Sequence, residues 1–339
     1  MKQKHQILFW SLGLLLLGLL FYRVGVEDVW TYVQTMGWGY IPVLGISLLW
    51  NLSNTWAWAA CFGQRGEQRS GFWTLFRAKV GGEAVGQMML VSVAGEVAKA
   101  YMLRAQVSVT RGLPSVVINK TTEFISGLGF VLLGAVVAVR QFSLPVAVQK
   151  GLAVGLLLAT LCIAAGVLKQ RQNAFGWILN LLKRLRLPFL EGRRQKVEEM
   201  DRNIAAFYRQ NWRGFLVSLG LHSLSWVLGT LEVYFILRWL GQPLPFVSAF
   251  LLCSLSVMIN TAFFFIPSGV GVFEGGHVFL FHLLGLSPGL GLAVGVIRRI
   301  RKIFWVVLGF LFLLPGLPRP VNASGTELSE HVEKEPDRT

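Results

Sequence analysis

Residues 289–314 read GLGLAVGVIRRIRKIFWVVLGFLFLL, an apolar stretch interrupted by four cations. A helix of about 20 apolar residues crosses a bilayer, so the stretch is long enough to do so. Arg298, Arg299, Arg301 and Lys302 stand near its middle and spread over roughly 160° of the helix circumference. At least one cation should therefore face inward, where an arginine suits bidentate binding of phosphate or carboxylate. A bent helix with its cations snorkelling to a membrane surface is the alternative.

The composition of the whole chain is that of a membrane protein. Of 339 residues, 54% are apolar and 14% are charged, whereas a soluble domain has about 25% charged residues. We predict an all-α, polytopic membrane helix bundle with about six full spans and two broken or re-entrant hairpins. The predicted spans are 7–22, which we expect to remain uncleaved, and 40–62, 114–139, 146–168, 214–238 and 289–314.

Two segments are too polar or too glycine-broken for simple spans. Residues 72–104 predict a hairpin with its turn near Val91–Gly95, and residues 246–285 predict one interrupted at Pro267–Gly271. A glutamate follows each break, Glu96 in the first half and Glu274 in the second. Paired interruptions of this kind are typical of inverted-repeat transporters and indicate where the substrate binds.

The most basic part of the chain, residues 169–213, separates the predicted halves 1–168 and 214–315. It contains eleven Lys or Arg against four Asp or Glu, a net charge of +7. We expect it to be a cytoplasmic loop that contacts anionic lipid headgroups, with a surface-lying amphipathic helix at Phe175–Phe189. Contact between basic loop residues and anionic lipids also accounts for the chain's formal net charge of +15, so nucleic-acid binding is not needed to explain that charge. The polar tail 316–339 is predicted to be disordered, and both termini to be cytoplasmic.

Five acidic residues lie in or beside apolar segments, where a charge needs either an ionic partner or a water-filled cavity. They are Glu83, Glu96, Glu123, Glu232 and Glu274, and basic candidates at the same depth include Lys99 and Lys120. Lys120 and Glu123 share a helix face because they are spaced i, i+3. They are interpreted either as a structural ion pair or as part of a substrate path. Gly269 and Gly271 predict a loop whose N–H groups precede a helix N-terminus, a place that favours anions.

The sequence gives little support for metal binding, for ATP-driven transport or for nucleophilic catalysis. The three cysteines stand apart, and the histidines lack metal-ligand spacing, so we interpret the histidines as hydrogen-bonded helix residues. The sequence contains neither a Walker A loop nor a Ser-His-Asp or Cys-His set. We therefore expect no cofactor, no bound metal and no enzymatic activity.

Several motifs resemble one known family. They are GE at 82–83, GEVAKAY at 95–101, NKTTE at 119–123, PSGVGVFE at 267–274 and Arg298-Arg299. Together they resemble the lysylphosphatidylglycerol synthase transmembrane-region family, or flippase-like domain proteins, across residues 5–315. Two features depart from the usual pattern: VSVA at 91–94 lacks a proline, and Lys120 stands where an arginine is more usual.

The resemblance implies a lipid-translocating bundle, here expected as a stand-alone member without the soluble aminoacyl-transferase domain. We expect a flippase-like protein of the bacterial inner membrane that passes a lipid or polyprenyl-linked headgroup through a polar cleft. The alternatives are a membrane enzyme that modifies a lipid headgroup and a non-catalytic partner of a lipid-synthesis complex; a homo-oligomer also stays open. The expected substrate-binding residues are Glu96, Lys99, Lys120, Glu123, Gly269, Gly271, Glu274 and Arg298.

Overall fold

The structure is a computed structural model that describes residues 11, 15, 17–23, 25–62, 70–88, 93–141, 146–184, 194–263, 266 and 269–314. These residues form eleven bounded helices and contain no β-strand, which confirms the predicted all-α membrane bundle. The helices are α1 (Val26–Met36), α2 (Tyr40–Ala60), α3 (Phe72–Met88), α4 (Val93–Met102), α5 (Val109–Gln141), α6 (Val146–Arg184), α7 (Arg194–Gln210), α8 (Trp212–Trp239), α9 (Phe246–Ala262), α10 (Val272–Leu283) and α11 (Pro288–Leu313).

Local sequence explains where several helices begin. Gly25 and Gly37 bracket α1 with φ of 96° and 38°, values that glycine adopts without steric cost. The Asn211 side chain accepts a hydrogen bond from Gly214 N–H at 3.1 Å and so caps α8. At the start of α11, Pro288 follows Ser287, and a proline in the first turn loses no helical hydrogen bond.

Both predicted broken elements are pairs of helices that pack against each other. In the first, α3 and α4 are separated by residues 89–92, which lie outside the described residues. Because α4 already begins at Val93, Gly95 belongs to its first turn rather than to the turn predicted near Val91–Gly95, and Glu96 lies in the same helical turn. In the second, α9 and α10 are separated by 263–271, where Gly269 and Gly271 have φ of 61° and 78°. The predicted interruption at Pro267–Gly271 is thus confirmed through its two glycines; Pro267 and Ser268 lie outside the described residues.

The basic interval 169–213 is more helical than the sequence pattern indicates. Helix α6 continues to Arg184, so the described part of the predicted helix Phe175–Phe189 is an extension of α6. A separate amphipathic helix, α7, buries Val197, Met200, Ile204 and Phe207 against the bundle. Residues 185–193 and the predicted tail 316–339 lie outside the described residues.

The apolar side chains form two main cores, the second of which also contains Met36, Val43 and Phe130 from the first half of the chain. The first joins α2, α3, α4, α5 and α7 around Trp58, Leu103 and Ile118. The second joins α8, α9, α10 and α11 around Ile236 and Phe281. Helices α2 and α8 pack extensively on each other, and α11 packs on both α3 and α10. The hairpin of the first half and the last helix of the second half therefore share an interface.

Three described helical segments are long and apolar enough to cross a membrane: Val109–Gln141, Gln149–Gln170 and Trp212–Trp239. Helix α9 is equally apolar but has only 17 residues. Helix α11 has sufficient length but carries the four cations in its middle. None of the described side chains in the α6 segment Gln149–Gln170 is buried within the monomer. The predicted total of six spans stays a prediction.

We predict that a methyl group at Gly309 destabilises the protein by forcing α3 and α11 apart. A Cβ there would lie 2.6 Å from the Val80 carbonyl oxygen and 2.7 Å from Ala84 Cβ. Overpacking of this kind costs about 1–3 kcal/mol, so Gly309→Ala should lower the thermal midpoint of the purified protein. Gly220→Ala on α8 is the matched control, since a Cβ at Gly220 meets nothing within 4 Å. Equal midpoints for the two variants would contradict the close crossing.

Candidate functional site: two charged clusters and a cationic pocket

The charged side chains inside the bundle collect in two clusters. The first cluster lies on α3, α4 and α5 and consists of Lys79, Glu83, Glu96, Lys99, Lys120 and Glu123. The second lies on α8, α10 and α11 and consists of Glu232, Glu274, His277, Arg298, Arg299, Arg301 and Lys302. The sequence prediction drew its substrate-binding residues from both groups, and the structure places them in separate clusters.

In the first cluster, the acidic and basic groups alternate along α3, α4 and α5. Glu83 lies 2.9 Å from Lys79 and 3.9 Å from Lys99. Lys99 in turn contacts Glu96 at 3.1 Å. Because α3 and α4 pack closely, with Gly82 and Gly95 at their crossing, these side chains meet although they come from different helices.

The row continues from α4 to α5. Glu96 lies 3.5 Å from Lys120, which lies 3.0 Å from Glu123. The ion pair predicted from the i, i+3 spacing of Lys120 and Glu123 is thus confirmed, and Glu96 is an additional partner. The first cluster contains three lysines and three glutamates, so its formal charges balance.

Lys79 is a member of the first cluster that the sequence interpretation missed. Only 3% of this residue is exposed, and its Nζ donates to Asn51 Oδ1 and lies 4.4 Å from the centre of the Trp50 ring. The i, i+4 spacing of Lys79 and Glu83 within a glycine-rich apolar stretch could have predicted this ion pair from the sequence. The same rule had already identified Lys120 and Glu123.

In the second cluster, Glu232 on α8 lies between two arginines of α11. Glu232 is 1% exposed; it pairs with Arg301 and lies 3.6 Å from Arg298 Nε. Arg298 Nη1 also approaches His277 Nε2 at 3.4 Å, while His277 Nδ1 lies 2.7 Å from the Phe273 carbonyl oxygen. A neutral imidazole satisfies both contacts, donating from Nδ1 and accepting at Nε2. Arg298 is therefore held by a carboxylate and a histidine.

Glu274 connects the second hairpin to α11. Its side chain is fully buried, its Oε2 accepts from Gly271 N–H at 2.9 Å, and its Oε1 pairs with Arg299. Arg299 also donates to the Gly269 carbonyl oxygen at 3.4 Å. The glycine loop predicted to offer N–H groups to an anion is thus already bonded: the Gly271 N–H faces Glu274, and Gly269 contributes its carbonyl to Arg299.

The two clusters differ in composition. Within the part of the chain that the structure describes, the second cluster contains four cations of α11 and two carboxylates, Glu232 and Glu274. Among the described residues, the buried atoms Glu232 Oε1, Arg298 Nε and Arg301 Nε also have no hydrogen-bond partner.

A pocket of about 210 Å³ opens beside these cations, between α2, α3, α10 and α11. Arg298, Arg299, Arg301 and Lys302 all line it. Of the eight residues predicted to bind substrate, Arg298 alone is among the lining residues. Glu96, Lys99, Lys120, Glu123, Gly269, Gly271 and Glu274 contribute to the ionic clusters and turns behind the pocket.

The rest of the pocket combines polar and apolar residues and includes one further charged group. Helices α2 and α3 contribute Ser47, Asn51, Gln87 and a single carboxylate, Glu83. The aromatic rings of Trp50, Phe273 and Trp305 and the aliphatic side chains of Val80, Ala84 and Val306 complete the lining. Trp305 is fixed by a 2.8 Å hydrogen bond from its Nε1 to Ser47 Oγ, and Arg298 lies 5.3 Å from the centre of the Phe273 ring. The pocket thus combines cations with rigid aromatic surface.

His222 joins three helices at the back of the first cluster. Its ring nitrogens contact Asn54 on α2 at 2.8 Å and Asn119 on α5 at 3.0 Å. The interpretation of His222 and His277 as hydrogen-bonded helix residues is confirmed. Within the described part of the chain, no three His, Cys, Asp or Glu side chains form a group that could hold a metal ion.

An all-α membrane bundle with paired helical hairpins and two charged clusters between its helices defines the class of this protein. The chain belongs to the lysylphosphatidylglycerol synthase TM region family, whose sequence model matches residues 6–309. That match confirms the resemblance inferred from the motifs. No curated protein and no solved structure shows significant similarity to the chain. The family is a membrane domain associated with lipid-headgroup flippase and synthase proteins.

We predict that Glu232→Gln strongly destabilises the protein, because it leaves two mostly buried arginines without their carboxylate. Removing one partner of a buried ion pair costs about 3–5 kcal/mol. Glu123→Gln is the matched comparison, because 34% of the Glu123 side chain is exposed and water can replace the lost contact. Thermal unfolding in detergent should show a much larger fall for Glu232→Gln. The double variant Glu232→Gln/Arg301→Gln should recover part of that fall, and a fall equal to the sum of both single variants would contradict the pairing.

Proposed function

We propose that this protein moves a lipid headgroup across the membrane, with the headgroup bound in the cationic pocket and the lipid chains left in the bilayer. The observation that carries the proposal is the convergence of four α11 cations, Arg298, Arg299, Arg301 and Lys302, on one pocket inside a membrane bundle. A single charge at mid-bilayer costs roughly 2.5–3.5 kcal/mol even on insertion scales. Four cations gathered on one pocket are therefore expected where an anionic ligand binds.

The geometry suits binding of a phosphate-bearing headgroup. Glu232 and Glu274 hold Arg301 and Arg299 from behind, so the guanidinium groups are oriented before a ligand arrives. Prior orientation lowers the entropy lost on binding. Lys302 adds a compact charge to the same wall. In this proposal the α11 cations bind the phosphate, whereas Lys99 and Lys120, which the sequence placed among the substrate-binding residues, have their charges balanced within the first cluster.

The first cluster is proposed to form the other polar half of the path. Glu83 lines the pocket and also contacts Lys79 and Lys99, so the row of alternating charges starts at the pocket wall. A headgroup leaving the pocket would meet charges that can exchange partners without creating an isolated ion. We further propose that the protein acts as a transporter rather than an enzyme, in a bacterial inner membrane with both termini in the cytoplasm. The interval 169–213 would contact anionic lipids there.

We predict that Lys302→Gln slows lipid exchange between leaflets about tenfold, the order of effect expected from removing one unit charge from a partly buried site. The measurement uses purified protein in vesicles with labelled anionic, zwitterionic and polyprenyl-phosphate lipids. Lys302→Arg keeps the charge and should retain exchange. Lys150→Gln, an exposed position on α6, controls for loss of a cation elsewhere.

Two outcomes would contradict the proposal in different ways. Unchanged exchange in Lys302→Gln would remove the pocket from the path. Covalently altered lipid, detected by mass spectrometry of the recovered vesicles, would instead support an enzyme that modifies a headgroup. Absence of both exchange and alteration would favour a non-catalytic partner of a lipid-synthesis complex.

A further inference from the structure

We infer that Lys79 is a positioning residue that keeps the pocket open to anions, because it holds the Glu83 carboxylate away from the four α11 cations. This inference rests on the proposed function and adds to it a residue that controls access to the same site. Lys79 is not among the described residues that line the pocket. It lies behind that lining on α3, and only 3% of it is exposed.

The Lys79 ammonium contacts three residues of the pocket wall. Its Nζ donates to Asn51 Oδ1 and lies 4.4 Å from the centre of the Trp50 ring, and both partners belong to α2. The same Nζ lies 2.9 Å from Glu83 Oε2 on α3. Asn51, Trp50 and Glu83 all line the pocket. A single buried charge therefore orders one wall of the pocket across the junction of α2 and α3.

The position of Glu83 depends mainly on Lys79. Lys99 lies 3.9 Å from Glu83, which is beyond hydrogen-bond distance, whereas Lys79 is within it. Lys79 is itself fixed, because Asn51 Nδ2 donates to the Ser47 carbonyl oxygen at 2.9 Å and so turns Oδ1 towards the ammonium. Ser47 Oγ accepts in turn from Trp305 on α11 at 2.8 Å. The ammonium is thereby held in one place, and Glu83 with it.

Glu83 is the only carboxylate among the described residues that line the pocket, and it shares that lining with the four α11 cations. Its side chain is 36% exposed, so it has room to turn towards them. A carboxylate offers an arginine the same bidentate contact as a phosphate does. Glu83 and an anionic ligand are therefore competitors for the same donors. The ion pair with Lys79 removes Glu83 from that competition and leaves the α11 cations accessible to the ligand.

The test measures anion binding to the full-length protein in a non-ionic detergent. Short-chain phosphatidylglycerol and inorganic phosphate are titrated in parallel, and the rise of the thermal midpoint with probe concentration gives each dissociation constant. Both probes present anionic phosphate oxygens, so the inference applies to either. Tighter binding of the lipid would identify a lipid headgroup as the occupant, and tighter binding of inorganic phosphate would identify a soluble anion.

We expect Lys79→Gln to raise the dissociation constant of the tighter probe about tenfold, the order of effect of one unit charge in a partly buried site. Glutamine can still donate to Asn51 Oδ1 but has no charge with which to hold Glu83. Lys79→Arg keeps the charge and should keep the parent dissociation constant. An unchanged dissociation constant in Lys79→Gln would overturn the inference.

A double-mutant cycle shows whether Lys79 acts through Glu83. In the Lys79→Gln background, Glu83→Gln removes the released competitor and should tighten binding about tenfold, back to the parent dissociation constant. In the parent protein Glu83 is already held by Lys79, so Glu83→Gln alone should have a much smaller effect. Equal effects of Glu83→Gln in the two backgrounds would show that the two charges act independently on the ligand, and that result would overturn the inference.

A variant with a general loss of stability separates positioning from folding. Ile204→Val on α7 removes a methyl group from a fully buried side chain and should lower the thermal midpoint without ligand. Helix α7 contributes no described residue to the pocket lining, so the dissociation constant of this variant should equal that of the parent protein. If Ile204→Val weakens binding as much as Lys79→Gln does, affinity follows overall stability and the positioning role is overturned.

Vesicle exchange distinguishes failure of this inference from failure of the proposed function. Unchanged binding in Lys79→Gln, with lipid exchange present in the parent protein, would overturn the positioning role alone. Binding that follows the expected cycle, without any lipid exchange by the parent protein, would overturn the proposed transport and leave the positioning role standing. A parent protein that binds neither probe would overturn both.

Discussion

The pairing of α11 cations with buried carboxylates is the interaction on which the rest of the structure depends. Glu232 comes from α8 and Glu274 from α10, so the two ion pairs tie three helices together at the centre of the second half. The low dielectric of the bundle makes each pair expensive to break. It also means that α11 cannot shift or rotate without moving both carboxylates. The position of the pocket is thereby fixed by electrostatics as much as by packing.

The two halves use the same local device. In each, the second helix of the hairpin carries a glutamate in its first turn, Glu96 in α4 and Glu274 in α10. That glutamate contacts a cation on the long helix that follows, Lys120 on α5 or Arg299 on α11. A carboxylate near a helix N-terminus is also stabilised by the helix dipole. The correspondence supports the repeat inferred from the glycine breaks.

Much of the fold could be predicted from the sequence because apolar length and glycine breaks act locally. The pairing of Lys120 with Glu123 was equally accessible, since i, i+3 spacing fixes proximity on one helix. The partners of Arg298 and Arg301 were not, because Glu232 is more than sixty positions away and meets them only through tertiary packing. The glycine loop was assigned to an anion for the same reason: sequence shows the N–H groups near Gly271 but not that Glu274 occupies one.

The long exposed segment of α6 has a consequence for how sequence changes are tolerated. None of the described side chains of Gln149–Gln170 is buried by the rest of the chain, and apart from Gln170, which accepts hydrogen bonds from Thr121 and Tyr208, this segment is under little constraint from packing. Surrounding lipid tails are fluid and accept leucine, valine or phenylalanine alike. Divergence among related chains should therefore be fast and constrained only by hydropathy along this segment. Across the α3–α11 crossing, by contrast, a single added methyl group has no room. The molecule thus combines a segment in which only the hydropathy of the residues is constrained with a helix crossing in which the volume of each side chain is constrained.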